Sequence, residues 1–436
     1  MVLPGPDLVL PELALVVLIG ASGAGKSTFA AQHFAPQEVL TPGPPPGPGL
    51  DRAALPDRST LLERAADRLT QGRLTVVDDL LLRPADRRAL VALARAQHVW
   101  PVAIVLDLPR PVIEARQAAR ALGSATPPEP GAEGQLAEPT AEPSADQVAE
   151  LRRTLGGLGK EGFRQVWVLR GEAEVAAARV TRRALPTDLR HRTGPFDLIG
   201  DVHGCLTELR ELLTRLGYGA DGLTPPPGRS AVFVGDLVDR GPDSAGVLRL
   251  VMGMVAAGTA LCVPGNHDAK LLRALGGKAV KPLHGLDDTL RQLEAAGEGF
   301  CAEVRDFLGG LPGHLVLDGG RLVVAHAGLP EAYHGRQGGV VRSFALYGDV
   351  DGSQDEYGLP VRRDWAADYR GAALVVYGHT PVAEPRWIAN TVDIDTGCVF
   401  GGHLSALRYP ERELICVAAR RPYAVPRRPL AATPGP

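Results

Sequence analysis

The sequence predicts an α/β protein built as two domains in series. Three observations lead there: a length of 436 residues, short β-branched runs alternating with amphipathic stretches, and a polar break near residue 190 that separates two such series. Single hydrophobic cores rarely grow past roughly 250 residues, so length alone favours two.

The first series opens at Leu13 to Ile19. This apolar run lacks a basic leader and runs directly into a glycine-rich loop, so it reads as a buried strand rather than a signal-peptide core. Strands follow at Arg73 to Val77, Val102 to Leu106 and Gln165 to Leu169, with helical stretches at Thr28 to His33, Leu61 to Leu69, Arg87 to Ala96 and Gln147 to Leu158. Strictly alternating strand and helix predicts a parallel sheet. Pro42 to Gly49, Gly123 to Asp146 and the tail are too rich in Pro, Gly or Ala and Glu to pack. The expected division is a first domain over 1–190 with a disordered segment at 123–146, a second domain over 191–425, and a disordered tail over 426–436.

The second series comprises Asp197 to Ile199, Ala231 to Val234, Leu261 to Val263, Leu322 to Ala325, Leu374 to Tyr377 and Val392 to Ile394. Nearly balanced charge, 47 Lys and Arg against 50 Asp and Glu, gives no global positive field and neither supports nor excludes a nucleic-acid partner. The five cysteines are widely spaced without a C-x-x-C pair, which argues against a disulfide framework and for a reducing, cytoplasmic setting. No stretch approaches the ~20 apolar residues of a membrane span.

Two motif sets carry chemistry. Gly20-Ala-Ser-Gly23-Ala-Gly25-Lys26-Ser27 matches G-x-x-x-x-G-K-[ST] between a strand and the helix that Thr28 enters. Backbone amides at such a helix start cradle phosphate, Lys26 reaches the β/γ-phosphates and the Ser27 hydroxyl holds Mg²⁺, so ATP and Mg are the expected ligands.

The second set is denser. Strand after strand of the second series ends in metal- or phosphate-binding residues: Asp201-Val-His203-Gly204, Gly235-Asp236-x-x-Asp239-Arg240-Gly241, Gly265-Asn266-His267-Asp268, His326 and Gly378-His379. Ligand sites of open α/β sheets lie beyond the carboxyl ends of their strands, so these loops can converge. A carboxylate bridges two cations while imidazole and amide oxygen complete sites that keep room for water, and Asp236 is the natural bridge. Two cations roughly 3.5–4 Å apart activate water and neutralise charge on a phosphoryl group under in-line attack. A lone histidine is more often an ordinary core or surface imidazole; the ensemble is not. His33, His98, His284, His314 and His334 sit in no motif and receive no role, and His403 is near the site only by sequence.

These motifs resemble the calcineurin-like metallophosphoesterases, in the branch that holds protein Ser/Thr phosphatases and diadenosine tetraphosphatases. The resemblance implies an αββα sandwich, so the expected fold is a P-loop parallel α/β domain followed by that sandwich. It also implies that Asp201, His203 and Asp236 hold one metal and Asp236, Asn266, His326 and His379 the other. Arg240 would clamp phosphate, His267 oriented by Asp239 would protonate or stabilise the leaving oxygen, and Asp395 would support the ligands from behind. Manganese is the first expectation for both metals, with iron, nickel or zinc also suited to such ligands.

The phosphate loop joined to this phosphoesterase resembles bacterial polynucleotide kinase-phosphatases, without their ligase domain. Segments such as Arg73-Leu-Thr-Val-Val-Asp78, Tyr377-Gly-His-Thr-Pro381 and Asp395-Thr-Gly-Cys-Val-Phe-Gly-Gly402 carry that likeness. Three departures count against 5′-kinase activity. No aspartate follows the loop closely enough to deprotonate a 5′-hydroxyl, Asp51 lying beyond the proline-rich stretch. Arg116 and Arg120 lead into low-complexity sequence where an arginine-rich lid belongs, and Asp79-Leu80-Leu81 replaces the usual continuation after Asp78.

The first reading is therefore hydrolysis of 2′-, 3′- or 2′,3′-cyclic phosphates on RNA or DNA ends. The second is hydrolysis of dinucleoside polyphosphates or phosphoproteins. In the third, the first domain is a non-catalytic nucleotide sensor or a dock for a separate ligase or repair partner. Arg342, Arg362, Arg363, Arg386 and Arg408 are candidate contacts to a nucleic-acid backbone.

Overall fold

The structure, a computed structural model, describes residues 5–42, 58–123 and 144–427. Expectations placed on Asp51, on 43–49, on 124–143 and on the tail from 428, like the Arg120 side chain, lie outside the described residues. The chain divides into two compact units, Met1–Leu185 and Pro186–Pro436.

In the first unit five parallel strands stand in the order Val39–Leu40, Thr75–Asp78, Ala14–Ile19, Trp100–Asp107, Gln165–Arg170. Side chains alternate across the pleat, so Val16, Leu18, Ile104 and Leu106 face one apolar layer and Leu15, Val17, Ala103 and Val105 the other. Burial on both faces explains why these strands read as unbroken apolar runs. A further pair, Asp7–Pro11 beside Arg179–Arg183, was invisible in sequence because its second strand, RVTRR, is largely exposed.

The second unit is a sandwich of two sheets. One runs Ala260–Cys262, Ser230–Phe233, Phe196–Ile199, His403–Tyr409, Glu413–Ala418; its first three strands are parallel and its last two antiparallel. The other runs Arg386–Ile388, Thr391–Asp393, Leu374–Tyr377, Leu322–Val324, Leu315–Leu317, Asp188–Leu189. Its last strand lies in the polar break near residue 190 and extends the sheet edge beside Leu315–Leu317.

Between the sheets Phe196, Leu198, Val232, Val324, Val376 and Ile394 form one apolar layer. Fully burying side chains of this size contributes roughly 1.5–3 kcal/mol apiece. Helices cover both outer faces: Leu206–Leu216 and Ser244–Ala256 pack on Ile199 and Phe233, and Gly339–Tyr347 with Trp365–Asp368 pack near Val323 and Val375. The unit is thus αββα. Parallel strands of both sheets end at one edge of the sandwich, and the loops leaving that edge carry the polar motifs.

Candidate functional site

The loop after Phe196–Ile199 delivers Asp201 and His203, and the one after Ser230–Phe233 delivers Asp236. Asn266 and His267 open the helix Asn266–Leu275, while His326 and His379 follow Leu322–Val324 and Leu374–Tyr377. Two glycines make the approach of these loops feasible. A Cβ on Gly265 would lie 2.0 Å from Asp236 Oδ1, and one on Gly378 would lie 2.1 Å from Asp201 Oδ1.

The ligand atoms gather in two groups that share Asp236: His203, Asp236 and His267, and Asp236, His326 and His379. His203 Nε2 lies 3.4 Å from Asp236 Oδ2, and His326 Nε2 lies 3.4 Å from Asp236 Oδ1. His326 Nε2 is also 3.1 Å from Asn266 Oδ1 and 3.0 Å from His379 Nδ1. Asp201 sits behind these groups, its Oδ1 4.0 Å from His326 Nδ1 and its Oδ2 accepting the His379 N–H at 3.2 Å. Backbone carbonyls set the tautomers: His203 Nδ1 lies 2.8 Å from Val238 O and His326 Nδ1 lies 3.2 Å from Val234 O. Each Nε2 therefore carries a lone pair turned into the site, the form in which imidazole ligates.

The electrostatics are those of ligands that need a cation. Burial, then Asp395, Asp236 and Asp393, holds Asp201 well above the usual carboxylate range, and burial followed by Asp268 does the same to Asp236. Burial pushes Asp395 up to about 6 and His326 down to about 3. His203, His267 and His379 are also lowered, first by burial. Asp201 Oδ1 and His379 Nε2 are buried without a hydrogen-bond partner. Imidazole nitrogens and carboxylate oxygens converging at such separations, in a layer where buried carboxylates raise one another's pKa, fit divalent metals.

Behind this layer, Asp239 Oδ2 holds His267 Nδ1 at 2.7 Å, and its Oδ1 accepts the Thr289 hydroxyl at 2.7 Å. Burial raises Asp239 to about 6. Arg240 approaches His203 Nε2 at 2.7 Å, with its guanidinium 5.2 Å over the Phe400 ring. Asp395 accepts the Gly397 N–H at 3.1 Å, and its charge bears on Asp201.

A cavity of about 490 Å³ opens onto Asp236, Asn266, His267 and His379, with Arg240, Arg362, Arg386, Tyr347 and Phe400 around it. Among the described lining, Arg342, Arg363 and Arg408 are absent. Arg408 instead pairs with buried Asp197 and with Glu413 at 3.6 and 3.5 Å, which makes it a structural residue rather than a substrate contact. His284, given no role from sequence, lines the cavity with its ring 6.2 Å from that of His267. Only its adjacency to Gly285, which packs on the Arg240 backbone, could have flagged it. Thr289 and Phe400 had no sequence signal. His403 is exposed on its strand and lies outside the cavity lining.

In the first unit Gly23 and Gly25 take φ 89° and 94°, curling the loop ahead of Lys26–His33. Lys26 Nζ donates to Gly20 O at 2.8 Å, and Ser27 Oγ donates to Asp78 Oδ2 at 2.6 Å. Gly23, Gly25, Lys26, Ser27, Asp78 and Asp79 line a cavity of about 300 Å³; Thr28 is exposed on the helix and outside that lining. Arg116 reaches the loop at Ala24 O (3.3 Å) but is paired with Glu172 at 2.7 Å.

No helix among the described residues is long and apolar enough to cross a membrane. Residues 49–137 match the AAA domain family, and residues 194–383 match the calcineurin-like phosphoesterases. The chain is 49% identical over 234 residues to a bis(5′-nucleosyl)-tetraphosphatase PrpE [asymmetrical] of Anoxybacillus flavithermus, spanning 52% of this chain and 96% of the relative. A relative of the same name from Halalkalibacterium halodurans is 48% identical over 233 residues, 52% of this chain and 95% of its own length. The chain is a metal-dependent hydrolase and belongs to the calcineurin-like phosphoesterases.

Proposed function

We propose that the chain hydrolyses dinucleoside polyphosphates, cutting a tetraphosphate bridge unequally so that water and the dinucleotide give one nucleoside triphosphate and one nucleoside monophosphate. The observation that carries this is the cavity itself. Arg240, Arg362, Arg427 and Arg386, the last paired with Asp364, line it against the carboxylates of Asp236 and Asp355, together with the aromatic rings of Tyr347 and Phe400. That is more positive charge than one phosphoryl group requires, beside surfaces on which a base can stack. The names of the relatives point the same way.

In this reading Asp201, His203 and Asp236 hold one divalent cation and Asp236, Asn266, His326 and His379 a second, manganese being the first candidate. When bound, the cations neutralise phosphoryl charge and activate water for in-line attack. Arg240 grips the attacked phosphoryl group with a planar, two-pronged donor set. Asp239 fixes His267 through Nδ1 and offsets its charge once Nε2 takes up a proton, and the imidazolium so formed stabilises the departing phosphate oxygen. Asp395, held by the Gly397 amide, keeps Asp201 in place.

The competing reading, hydrolysis of phosphates on RNA or DNA ends with a separate ligase or repair partner, draws on the phosphate loop. Its Ser27 to Asp78 bond is the arrangement that binds Mg²⁺ with ATP. A paired assay with Mn²⁺ separates the two. Diadenosine tetraphosphate yielding ATP and AMP, with 3′-phosphate and 2′,3′-cyclic RNA ends untouched, is the expected result. The reverse pattern would replace the proposal with end processing.

A further inference from the structure

The metal cavity is not the only basic concavity at this edge of the sandwich. A groove of about 720 Å³ adjoins it, and Arg240 lines both. The groove also carries Arg291, Arg421 and Tyr423. Its one carboxylate, Asp288, is already engaged by Arg291. The groove therefore presents net positive charge to whatever enters across Arg240.

The residues at Arg421 are held for presentation. Tyr423 N and Ala424 N both donate to Val399 O, at 2.9 and 3.0 Å. The Tyr423 hydroxyl donates to Glu208 Oε1 at 2.7 Å, and the Arg420 amide donates to the same oxygen at 3.0 Å. Of the two adjacent arginines, Arg420 turns away to Glu211 at 3.3 Å. Arg421 makes no ion pair among the described residues; its guanidinium lies 5.5 Å over the Tyr423 ring. The same segment continues through Val425, Pro426 and Arg427, which line the metal cavity. One anchored stretch thus borders both concavities, with Arg240 between them.

We propose that this groove is a second subsite that receives the phosphate-bearing half of the substrate lying beyond the attacked phosphoryl group, a nucleoside 5′-polyphosphate, with Arg421 as its principal anion contact. The inference rests on the dinucleoside polyphosphate reading for its biological ligand. The geometry, however, asks only for an extended polyphosphate that reaches past Arg240. Orthophosphate is too short to do so.

A competition assay on the full chain tests it, in a Lys26→Ala background so that the phosphate loop does not compete for nucleotide. Turnover of p-nitrophenyl phosphate is inhibited with adenosine 5′-(β,γ-methylene)triphosphate and, separately, with orthophosphate. The background is compared with the same chain carrying Arg421→Ala or Arg421→Glu, and thermal melting checks the fold at this exposed position. The nucleotide inhibition constant should rise about tenfold for Ala and further for Glu, as expected for loss of a charge-assisted contact. The ratio of nucleotide to orthophosphate inhibition constants should rise with it. A nucleotide constant that does not move overturns the subsite. Equal weakening of both inhibitors also overturns it, because Arg421 would then act through the metal cavity. Failure to cleave diadenosine tetraphosphate overturns the proposed function instead, and leaves this comparison to decide the groove.

Discussion

Asp236→Asn should make the metal-free protein more stable and the metal-loaded protein inactive. The carboxylate is buried, surrounded by Asp268 and Asp395, and held well above its ordinary range by burial first. A carboxyl group whose folded pKa is raised costs stability at every pH above its unfolded value, and the cost grows as pH rises toward the folded pKa, so the metal-free molecule bears it at pH 8. Asparagine retains Oδ1 to accept the His267 N–H that Asp236 accepts at 2.9 Å, so no donor is orphaned. Relief of an unpaired buried charge is typically worth about 1–3 kcal/mol, which would raise the melting transition of the second unit by roughly 2–10 °C. Excess Mn²⁺ should reverse the order. Wild type gains about 2.7 kcal/mol at a hundredfold excess over Kd, and the variant gains little. Calorimetry of the chelated and Mn²⁺-loaded full chain, following the transition that metal shifts, is the assay, with p-nitrophenyl phosphate turnover beside it. If the chelated variant melts below wild type, or if it retains substantial turnover, the two-metal account of Asp236 is refuted.

Metal affinity should fall with falling pH, and from a higher pH than ordinary carboxylates would give, because protons compete with the cation for Asp201 and Asp236, whose pKa values are raised in the metal-free molecule. Titration calorimetry at several pH values reads this directly; an affinity independent of pH would contradict it. Lys26→Ala should abolish ATP binding while p-nitrophenyl phosphate turnover stays within about twofold, since the two units have separate cores. His267→Gln should slow substrates with poor leaving groups by about 10²–10⁴ while sparing p-nitrophenyl phosphate, whose leaving oxygen needs no proton. Equal loss on both would make His267 a phosphate or metal contact instead.

The ligand set was readable in sequence because parallel strands buried on both faces end abruptly. The apolar runs before Asp201, Asp236, His326 and His379 stop within a few residues of a short polar motif, so strand end and ligand are one signal. His267 and Asp239 were legible for the same reason. What escaped notice arrives from elsewhere in the chain. His284 lies in the loop beyond the helix Asn266–Leu275, Thr289 reaches Asp239 from 50 residues away, and Phe400 meets Arg240 from a one-turn helix. Such contacts are set by packing and leave no periodicity. The edge strands Asp188–Leu189 and Arg179–Arg183 were missed because an edge needs little apolar surface. Arg408 was over-read for the complementary reason, since its partner Asp197 is buried more than 200 residues earlier in the chain.

The backbone shows the same concentration of cost at the site. Of the ten described non-glycine residues with positive φ, six are His203, Asp236, Asp239, Arg240, His284 and His379. Each such conformation costs on the order of 1–3 kcal/mol, a cost that the Asp and His at five of the six positions reduce but do not remove. It persists because neighbouring strands enter from rigid apolar layers and fix the ends of each short loop, so the loop conformation is imposed from outside. Strained ligands and crowded carboxylates are two forms of one arrangement, in which the cores on either side of the sheets hold together groups that would separate if free to do so. Cation binding relieves the charge half of that cost but not the backbone half. Metal removal should therefore leave the loops in place, with affinity set largely by how little they must rearrange.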